Sequence, residues 1–301
     1  MSLRASLINI SLRAFEKRRL RRSETPEELR RGFERSARLF FHAPRGSDFE
    51  PGSVGGVSTL KVIGPEARED HLLLYFHGGG YVMGSPATHK AMLARLSKLT
   101  WRVALLPDYR KAPEHPFPAA IDDALAVYNG LCAEGEASRI VMGGDSAGGG
   151  LVLALLGEIC AKGLPQPAGV FAFSPLTDMT FSGESFSENA RSDVMLPVSR
   201  ARDMEEKYLA GADPADPRAS PILAGFSGAA PVWLAVGDTE ILRDDTRRMT
   251  ERLRKEGVAV TEVVEHDLPH VWPLFQGLMP EANATLRDLA GWIKALSPPS
   301  A

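Results

Sequence analysis

Apolar residues along the chain are grouped into short runs, and these runs alternate with longer stretches of helical periodicity. Several of the runs are nearly continuous in apolar residues, as expected of strands that are buried on both faces. The pattern predicts strands at residues 58–63, 72–76, 103–106, 140–142, 170–173, 232–236 and 258–264.

The stretches between these runs carry apolar residues at the spacing of amphipathic helices. Strands that alternate with helices indicate βαβ units, and therefore a mostly parallel sheet with helices on both faces. The length of 301 residues fits one large α/β domain with a small accessory cap. The predicted helices lie at residues 89–99, 119–132, 147–162, 242–255 and 281–296.

The N-terminal part of the chain departs from this alternation. Residues 1–40 predict helices, in which Ile8, Leu12 and Phe15 share one face. Residues 41–56 are rich in Gly, Pro and Ser, and they predict a linker.

A second departure lies between two of the predicted strands. Residues 178–220 contain no predicted strand, only turn signals and a helical piece around 199–209. We expect this insertion to join residues 1–50 as a cap on a catalytic domain of residues 51–301. The cap would lie above the carboxyl ends of the strands, where α/β folds bind their ligands.

The strongest chemical signal is the pentapeptide Gly144-Asp145-Ser146-Ala147-Gly148. It follows a predicted strand and precedes a predicted helix, which is the context in which G-x-S-x-G forms a nucleophile elbow. The serine then lies in a strained turn with its hydroxyl exposed, and the flanking glycines allow close approach of the backbone. We predict that Ser146 is a catalytic nucleophile.

A second signal is His77-Gly78-Gly79-Gly80-Tyr81, directly after another predicted strand. Successive glycines leave backbone N–H groups free to donate to the oxyanion that develops during acyl transfer. The predicted donors are Gly79, Gly80 and Ala147, the residue after the nucleophile. A phosphate-binding loop is disfavoured, because neither a Lys-Ser/Thr pair nor G-x-G-x-x-G follows.

A serine nucleophile needs a base, and the base needs a carboxylate to orient it. In α/β-hydrolases these groups follow in the order Ser, acid, His, and only His266 and His270 lie beyond Ser146. We predict that His270 is the base, because it lies in a loop before the final helix. Spacing leaves both Asp238 and Glu240 open as the acid.

Together these motifs resemble the bacterial esterase family related to mammalian hormone-sensitive lipase, which has an α/β-hydrolase fold. The resemblance begins near Leu72 and continues to the end of the chain. Its HGGG and GDSAG motifs match the two glycine-rich segments, its DYRLAPEHPFPAA segment matches residues 108–120, and its D-P-x-x-S-P matches residues 216–221. Within residues 108–120 we expect Arg110 and Glu114 to brace the loops through charge pairs.

The resemblance also bears on the acid. Aligning Leu242-Arg243-Asp244 with the family's D-P-L-R-D-E string places Glu240 where the family has its triad aspartate. It thus implies a triad of Ser146, Glu240 and His270, with Asp238 as the alternative. The chain also has Val271-Trp272 where the family often has Gly-Phe, which alters the loop after the histidine.

The activity that the resemblance implies is hydrolysis of small carboxylic esters with short- to medium-chain acyl groups, through a serine acyl-enzyme. It implies neither a metal nor an organic cofactor, and it suggests a homodimer through the last strand. The same groups can also cleave amides, carbamates or lactones. Two further alternatives are a lipase acting at lipid interfaces and a non-catalytic ligand receptor on the same fold.

Composition narrows the class of protein. A net charge of −3 gives no indication of a nucleic-acid partner. Two cysteines, Cys132 and Cys160, do not make a disulfide framework and favour a cytoplasmic location. No apolar run is long enough for a stable membrane anchor, and basic residues interrupt any N-terminal signal sequence.

Charge is nevertheless uneven along the chain. Residues 1–40 contain eleven Lys and Arg side chains and five Asp and Glu side chains. We interpret this excess as the solvated face of a helix that packs on the main domain. The alternative is a helix that binds a membrane surface or a partner.

Overall fold

The core of the protein is one eight-stranded sheet. The structure, a computed structural model, describes residues 1–135 and 137–296. The strands follow in the spatial order β1-β2-β4-β3-β5-β6-β7-β8, with β2 antiparallel to both of its neighbours and all other pairs parallel. They are β1 (Asp48–Val54), β2 (Val57–Ile63), β3 (Arg68–Phe76), β4 (Arg102–Pro107), β5 (Ile140–Asp145), β6 (Gly169–Phe173), β7 (Val232–Gly237) and β8 (Val260–Glu265).

All seven predicted strands are present, but the predicted linker at 41–56 is wrong over residues 48–54. β1 lies there and pairs with β2, with Pro51 opposite Leu60. β1 is one of the two edge strands, and all of its residues are exposed or half-buried. It therefore lacks the alternating apolar pattern of a buried strand, and an edge position tolerates Pro51 and Gly52.

Helices cover both faces of the sheet, as the alternation predicted. Each predicted helix is present with its bounds shifted by no more than three residues at either end. The helices are α1 (Leu3–Ser11), α2 (Lys17–Arg22), α3 (Pro26–Phe40), α4 (Pro86–Thr100), α5 (Ala119–Glu134), α6 (Ala147–Lys162), α7 (Ser185–Glu188), α8 (Val198–Leu209), α9 (Arg243–Lys255) and α10 (Pro280–Leu296). Among the residues described, every helix is too short or too polar to cross a lipid bilayer.

A π-helical turn at Leu12–Glu16 joins α1 to α2. The N–H of Lys17 donates to the carbonyl of Leu12, which adds one residue to the turn. The extra residue rotates the following side chains, so Phe15 is 74% exposed while Leu12 packs against the core. The prediction that Phe15 shares an inward face with Leu12 is therefore wrong, because it assumed a regular α-helical period.

The core consists of two apolar layers, one on each face of the sheet. Successive residues of a strand point to opposite faces, so Val170 and Ala172 lie in one layer and Phe171 and Phe173 in the other. The ring of Phe171 lies 5.9 Å from that of Tyr75 and 5.5 Å from that of Phe173. A Cβ on Gly143 would lie 2.1 Å from the Phe171 ring, so this glycine makes room for it.

Truncation of the Phe171 side chain tests the apolar layer on this face of the sheet. We expect Phe171→Ala to lower the free energy of unfolding by about 3–5 kcal/mol, because the side chain is fully buried and leaves a cavity. Phe40, which is 53% exposed, provides the control: Phe40→Ala should change stability by no more than about 0.5 kcal/mol. Denaturant unfolding of both variants measures the difference, and equal losses would contradict this account of the core.

Candidate active site

The site lies at the carboxyl ends of the parallel strands, where β5 turns sharply into α6. Ser146 lies in this turn with φ 53° and ψ −121°, a conformation that is strained for a residue with a side chain. Its N–H donates to the carbonyl of Phe173 at 2.8 Å, and its carbonyl accepts from Gly150 and Leu176. These bonds hold the strained backbone in the geometry of a nucleophile elbow.

The glycines on either side of the serine allow the elbow to pack closely. A Cβ on Gly144 would lie 2.2 Å from the carbonyl oxygen of Gly148, and a Cβ on Gly148 would lie 2.1 Å from that of Phe76. Any side chain at either position would push α6 away from the sheet. The G-x-S-x-G spacing is thus a steric requirement of this turn.

The glycine loop after β3 faces the serine across the same pocket. Gly79 and Gly80 have φ values of 125° and 62°, and both line the pocket with Ser146. Within the described part of the chain, neither glycine N–H donates a hydrogen bond. Ala147 is the first residue of α6, where the N–H has no partner inside the helix. Gly79 and Gly80 thus line the same pocket as Ser146, the residue directly before Ala147.

Asp145, the residue before the serine, anchors this loop. Its buried carboxylate accepts from the N–H of Gly78 at 2.9 Å and from the hydroxyl of Tyr75 at 2.8 Å. The Nε2 atom of His89 lies 3.3 Å from the same carboxylate. The sequence pattern predicts no role for Asp145 beyond its place in the G-x-S-x-G motif, because its partners Tyr75 and Gly78 lie about 70 residues earlier in the chain.

His270 and Glu240 form a buried pair on the other side of the serine. His270 Nδ1 lies 2.6 Å from Glu240 Oε2, and both side chains are at least 96% buried. Burial by itself lowers the pKa of His270, but the charge and hydrogen bond of Glu240 outweigh it and raise the pKa above its usual value. The carboxylate thus fixes the ring orientation and leaves Nε2 for a second partner.

The other carboxylate oxygen of Glu240, Oε1, accepts two hydrogen bonds. It accepts from the N–H of Gly237 at 2.6 Å and from the hydroxyl of Ser174 at 2.8 Å. Ser174 Oγ in turn accepts from the N–H of Val271, the residue after the histidine. Sequence reasoning missed Ser174, although its position directly after β6 places it at the same edge of the sheet.

The alternative acid and the alternative base lie apart from this pair and contact each other. Asp238 Oδ2 lies 2.7 Å from His266 Nδ1, and Asp238 also accepts from the N–H of Asp267. The hydrogen bond to Asp238 raises the pKa of His266, whose ring is 83% exposed to solvent. This geometry gives neither residue a contact with His270 or Glu240.

The N-terminal helices and the insertion at 178–220 contact each other above the site. Lys17 is buried and donates to the carbonyls of Ala190 and Asp193, and burial lowers its pKa. Arg200 donates to the carbonyls of Leu20 and Ser23 in the opposite direction. Two segments that are distant in sequence are therefore bonded together.

Both segments contribute to the pocket that contains the serine and the histidine. The floor is formed by the glycine loop and the elbow, and the walls are mostly apolar. Residues from the two segments that line it are Glu16, Leu20, Phe33, Met179, Phe181, Met195, Leu196, Arg200, Ala201, Met204 and Glu205. The remaining apolar and aromatic lining consists of Tyr81, Met83, Leu176, Ile241, Leu242, Val271 and Leu274.

Arg110 and Glu114, which were expected to form charge pairs, both do so, and each has a different partner. Arg110 bonds Asp123 at 2.7 Å, and Arg30 of α3 holds both oxygens of Glu114 at 2.6 and 2.7 Å. The Arg30 guanidinium lowers the pKa of Glu114 to about 2. Arg30 also donates to two backbone carbonyls, so it ties α3 to the loops under the pocket.

The described residues contain no group of three or more His, Cys, Asp or Glu side chains arranged to hold a metal ion. The site offers instead a hydroxyl, an imidazole with a carboxylate behind it, and backbone N–H donors. That set of groups suits acyl transfer through a serine.

Comparison with known proteins agrees with this chemistry. A family model described as alpha/beta hydrolase fold matches residues 73–274. An acetyl-hydrolase from Streptomyces hygroscopicus is 36% identical over 244 residues, which cover 80% of this chain and 81% of that protein. An esterase from Acinetobacter venetianus is 32% identical and covers 90% of this chain and 89% of its own length. These names favour ester hydrolysis over the amide, carbamate, lactone and receptor alternatives.

Solved structures give the same result over almost the whole chain. A crystal structure of an esterase from the bacterial hormone-sensitive lipase family superposes with a TM-score of 0.93 at 36% identity, and covers 98% of this chain and 99% of that one. The chain therefore belongs to the α/β-hydrolase superfamily and, within it, to the bacterial hormone-sensitive lipase family of carboxylic ester hydrolases.

Proposed function

We propose that this esterase hydrolyses small esters with short- to medium-chain acyl groups through an acyl-enzyme on Ser146, with His270 as base and Glu240 as acid. The observation that carries the proposal is the buried bond of 2.6 Å between His270 and Glu240 beside a pocket that both His270 and Ser146 line. Asp238, the alternative acid, is engaged with His266 instead.

In the first step His270 Nε2 takes the proton of the Ser146 hydroxyl while Oγ attacks the ester carbonyl. The imidazolium that forms is stabilised by the Glu240 carboxylate, which keeps its own charge. His270 then gives the proton to the leaving alcohol, and the acyl group stays on the serine. Water, activated by the same imidazole, releases the acid and restores the hydroxyl.

The oxyanion of each tetrahedral intermediate would accept from the N–H groups of Gly79, Gly80 and Ala147. The first two N–H groups have no other acceptor among the described residues, so they are free for this task. The loop that carries them is held by Asp145, which limits the reorganisation needed during the reaction. The N-terminus of α6 adds a favourable dipole.

A cap of residues 1–50 and 178–220 on a catalytic domain of residues 51–301 forms part of the proposal, with the first boundary moved to residue 47 because β1 begins at Asp48 and belongs to the central sheet. The hydrogen bonds of Lys17 and Arg200 between the two segments support a single cap. Its apolar side chains wall the acyl pocket, which favours acyl chains over charged acids.

A homodimer through β8 and a cytoplasmic location complete the proposal. Among the residues that the structure describes, β8 is an edge strand with β7 as its sole partner, so its outer backbone groups are available for a second copy. Cys132 and Cys160 are free thiols, which fits a reducing compartment.

Removal of the nucleophile provides the first test. We expect the wild-type protein to hydrolyse p-nitrophenyl butyrate and to lose activity on esters of long fatty acids. Ser146→Ala should lose at least about 10⁵-fold in kcat because no other hydroxyl replaces the nucleophile. A circular dichroism spectrum like that of the wild type controls for folding, and near-normal turnover by a folded variant would reject Ser146.

Substituting each candidate acid by the corresponding amide distinguishes between them. We expect Glu240→Gln to lower kcat by about 10³–10⁴-fold, because the amide neither orients the imidazole in the same way nor stabilises its charge. Asp238→Asn should lower kcat less than about threefold, because its partner is the exposed His266. The reverse ranking of the two variants would reject Glu240.

The pH dependence follows from the raised pKa of His270. A protonated imidazole accepts no proton from the serine, so kcat/KM should fall on the acid side with an apparent pKa above 6.5. Glu240→Gln removes the charge that raises the pKa while burial still lowers it, so the residual activity of this variant should extend to lower pH. Asp238→Asn should leave the profile unchanged, and an identical profile for Glu240→Gln would contradict the pairing.

A further inference from the structure

Large apolar side chains of α1 and the π-helical turn are exposed to solvent. Leu3, Leu7 and Ile10 are 86%, 66% and 65% exposed, and Phe15 is 74% exposed. The three residues of α1 have the spacing i, i+4, i+7, so they form one face of the helix. We call Leu3, Leu7, Ile10 and Phe15 the apolar strip. Single exposed apolar residues are common, but four of them within thirteen residues of one helical segment are not.

The opposite face of α1 is attached to the protein, so the strip cannot turn inward. Ala5 is fully buried, and the side chain of Asn9 donates to the carbonyl of Asp267 at 2.8 Å. The hydroxyl of Ser2 caps the helix and donates to Glu281 of α10. The exposure of the strip is therefore a fixed property of the folded molecule.

The segment that carries the strip is rich in positive charge. The whole chain has a net charge of −3, but residues 1–22 contain seven Lys and Arg side chains and a single acidic one, Glu16. Glu16 is already bonded to Arg19. The exposed cations of this segment are Arg4, Arg13, Arg18, Arg21 and Arg22.

We propose that the apolar strip and these arginines dock the protein reversibly on an anionic lipid surface. A helix with an apolar face flanked by arginines lies in the plane of such a surface, with its apolar side chains among the lipids and its cations at the phosphates. A second copy of the chain fits less well, because a symmetric contact would bring two arginine-rich faces together.

Docking in this way would bring the active-site pocket near the lipid surface. Glu16 and Leu20, which follow the strip within one to two helical turns, line the pocket beside Ser146. Esters that partition into lipid would then reach the pocket from the surface to which the enzyme is bound. The proposal concerns binding, and its test does not require that the triad assignment be right.

The experiment measures co-sedimentation of the full chain with vesicles at low ionic strength. We expect binding to vesicles of equal parts phosphatidylcholine and phosphatidylglycerol, and weak binding to phosphatidylcholine alone. Leu7→Glu should reduce the partition coefficient by at least about tenfold, since it removes one buried apolar side chain and adds a negative charge. Leu223→Glu is the matched control, because Leu223 is 48% exposed but lies on another part of the molecule, and it should bind as the wild type does.

A second variant tests the charge component. Arg18→Gln should lower binding by about fivefold, and 0.5 M salt should abolish most of the binding of the wild type. Hydrolysis of soluble p-nitrophenyl butyrate should be unchanged in Leu7→Glu, which confirms that the variant is folded. No binding of the wild type to anionic vesicles would overturn the proposal. So would equal binding of Leu7→Glu and Leu223→Glu, or a wild-type dimer that Leu7→Glu converts to monomers.

Discussion

Parallel pairing of β3, β5, β6, β7 and β8 is the constraint on which the site depends. It brings the carboxyl ends of five strands to one edge, and each of the five is followed there by a residue or loop of the candidate site. The glycine loop follows β3, Ser146 follows β5, Ser174 follows β6, Glu240 follows β7 and His270 follows β8. Side chains as far apart in sequence as His77 and His270 thus lie at one edge, because the strand pairing fixes where each strand ends. A shift of register in any of these strands would separate the serine from its partners.

Much of this arrangement could be predicted because the buried strands have a strong pattern. Strands β4 to β7 are buried along their whole length, so their apolar runs are nearly continuous. The elbow was predictable for a different reason. At positions 144 and 148 the close packing of α6 leaves no room for a Cβ, so glycine is the only residue type that fits. Where sterics or burial restrict a position to few residue types, the sequence carries the information directly.

Other features depend on contacts that a local pattern does not contain. β1 is an edge strand whose side chains face solvent, so its sequence resembles a loop. The orientation of Phe15 depends on one extra residue in a helical turn, and that turn forms where Lys17 reaches carbonyls of the 178–220 segment. The role of Ser174 follows from its contact with Glu240, which lies 66 residues further along the chain. Each of these depends on tertiary partners that periodicity does not identify.

The sulfur content of the pocket has a chemical consequence. Met83, Met179, Met195 and Met204 all line it, and thioether side chains are flexible enough to adapt to acyl groups of different shape. The same side chains border the pocket, so an oxidant that enters it with solvent would meet them. Conversion of a thioether to its sulfoxide would place a strong dipole in an apolar wall, and methionine sulfoxide reductases would reverse it. Breadth of substrate and sensitivity to peroxide would then have one structural origin.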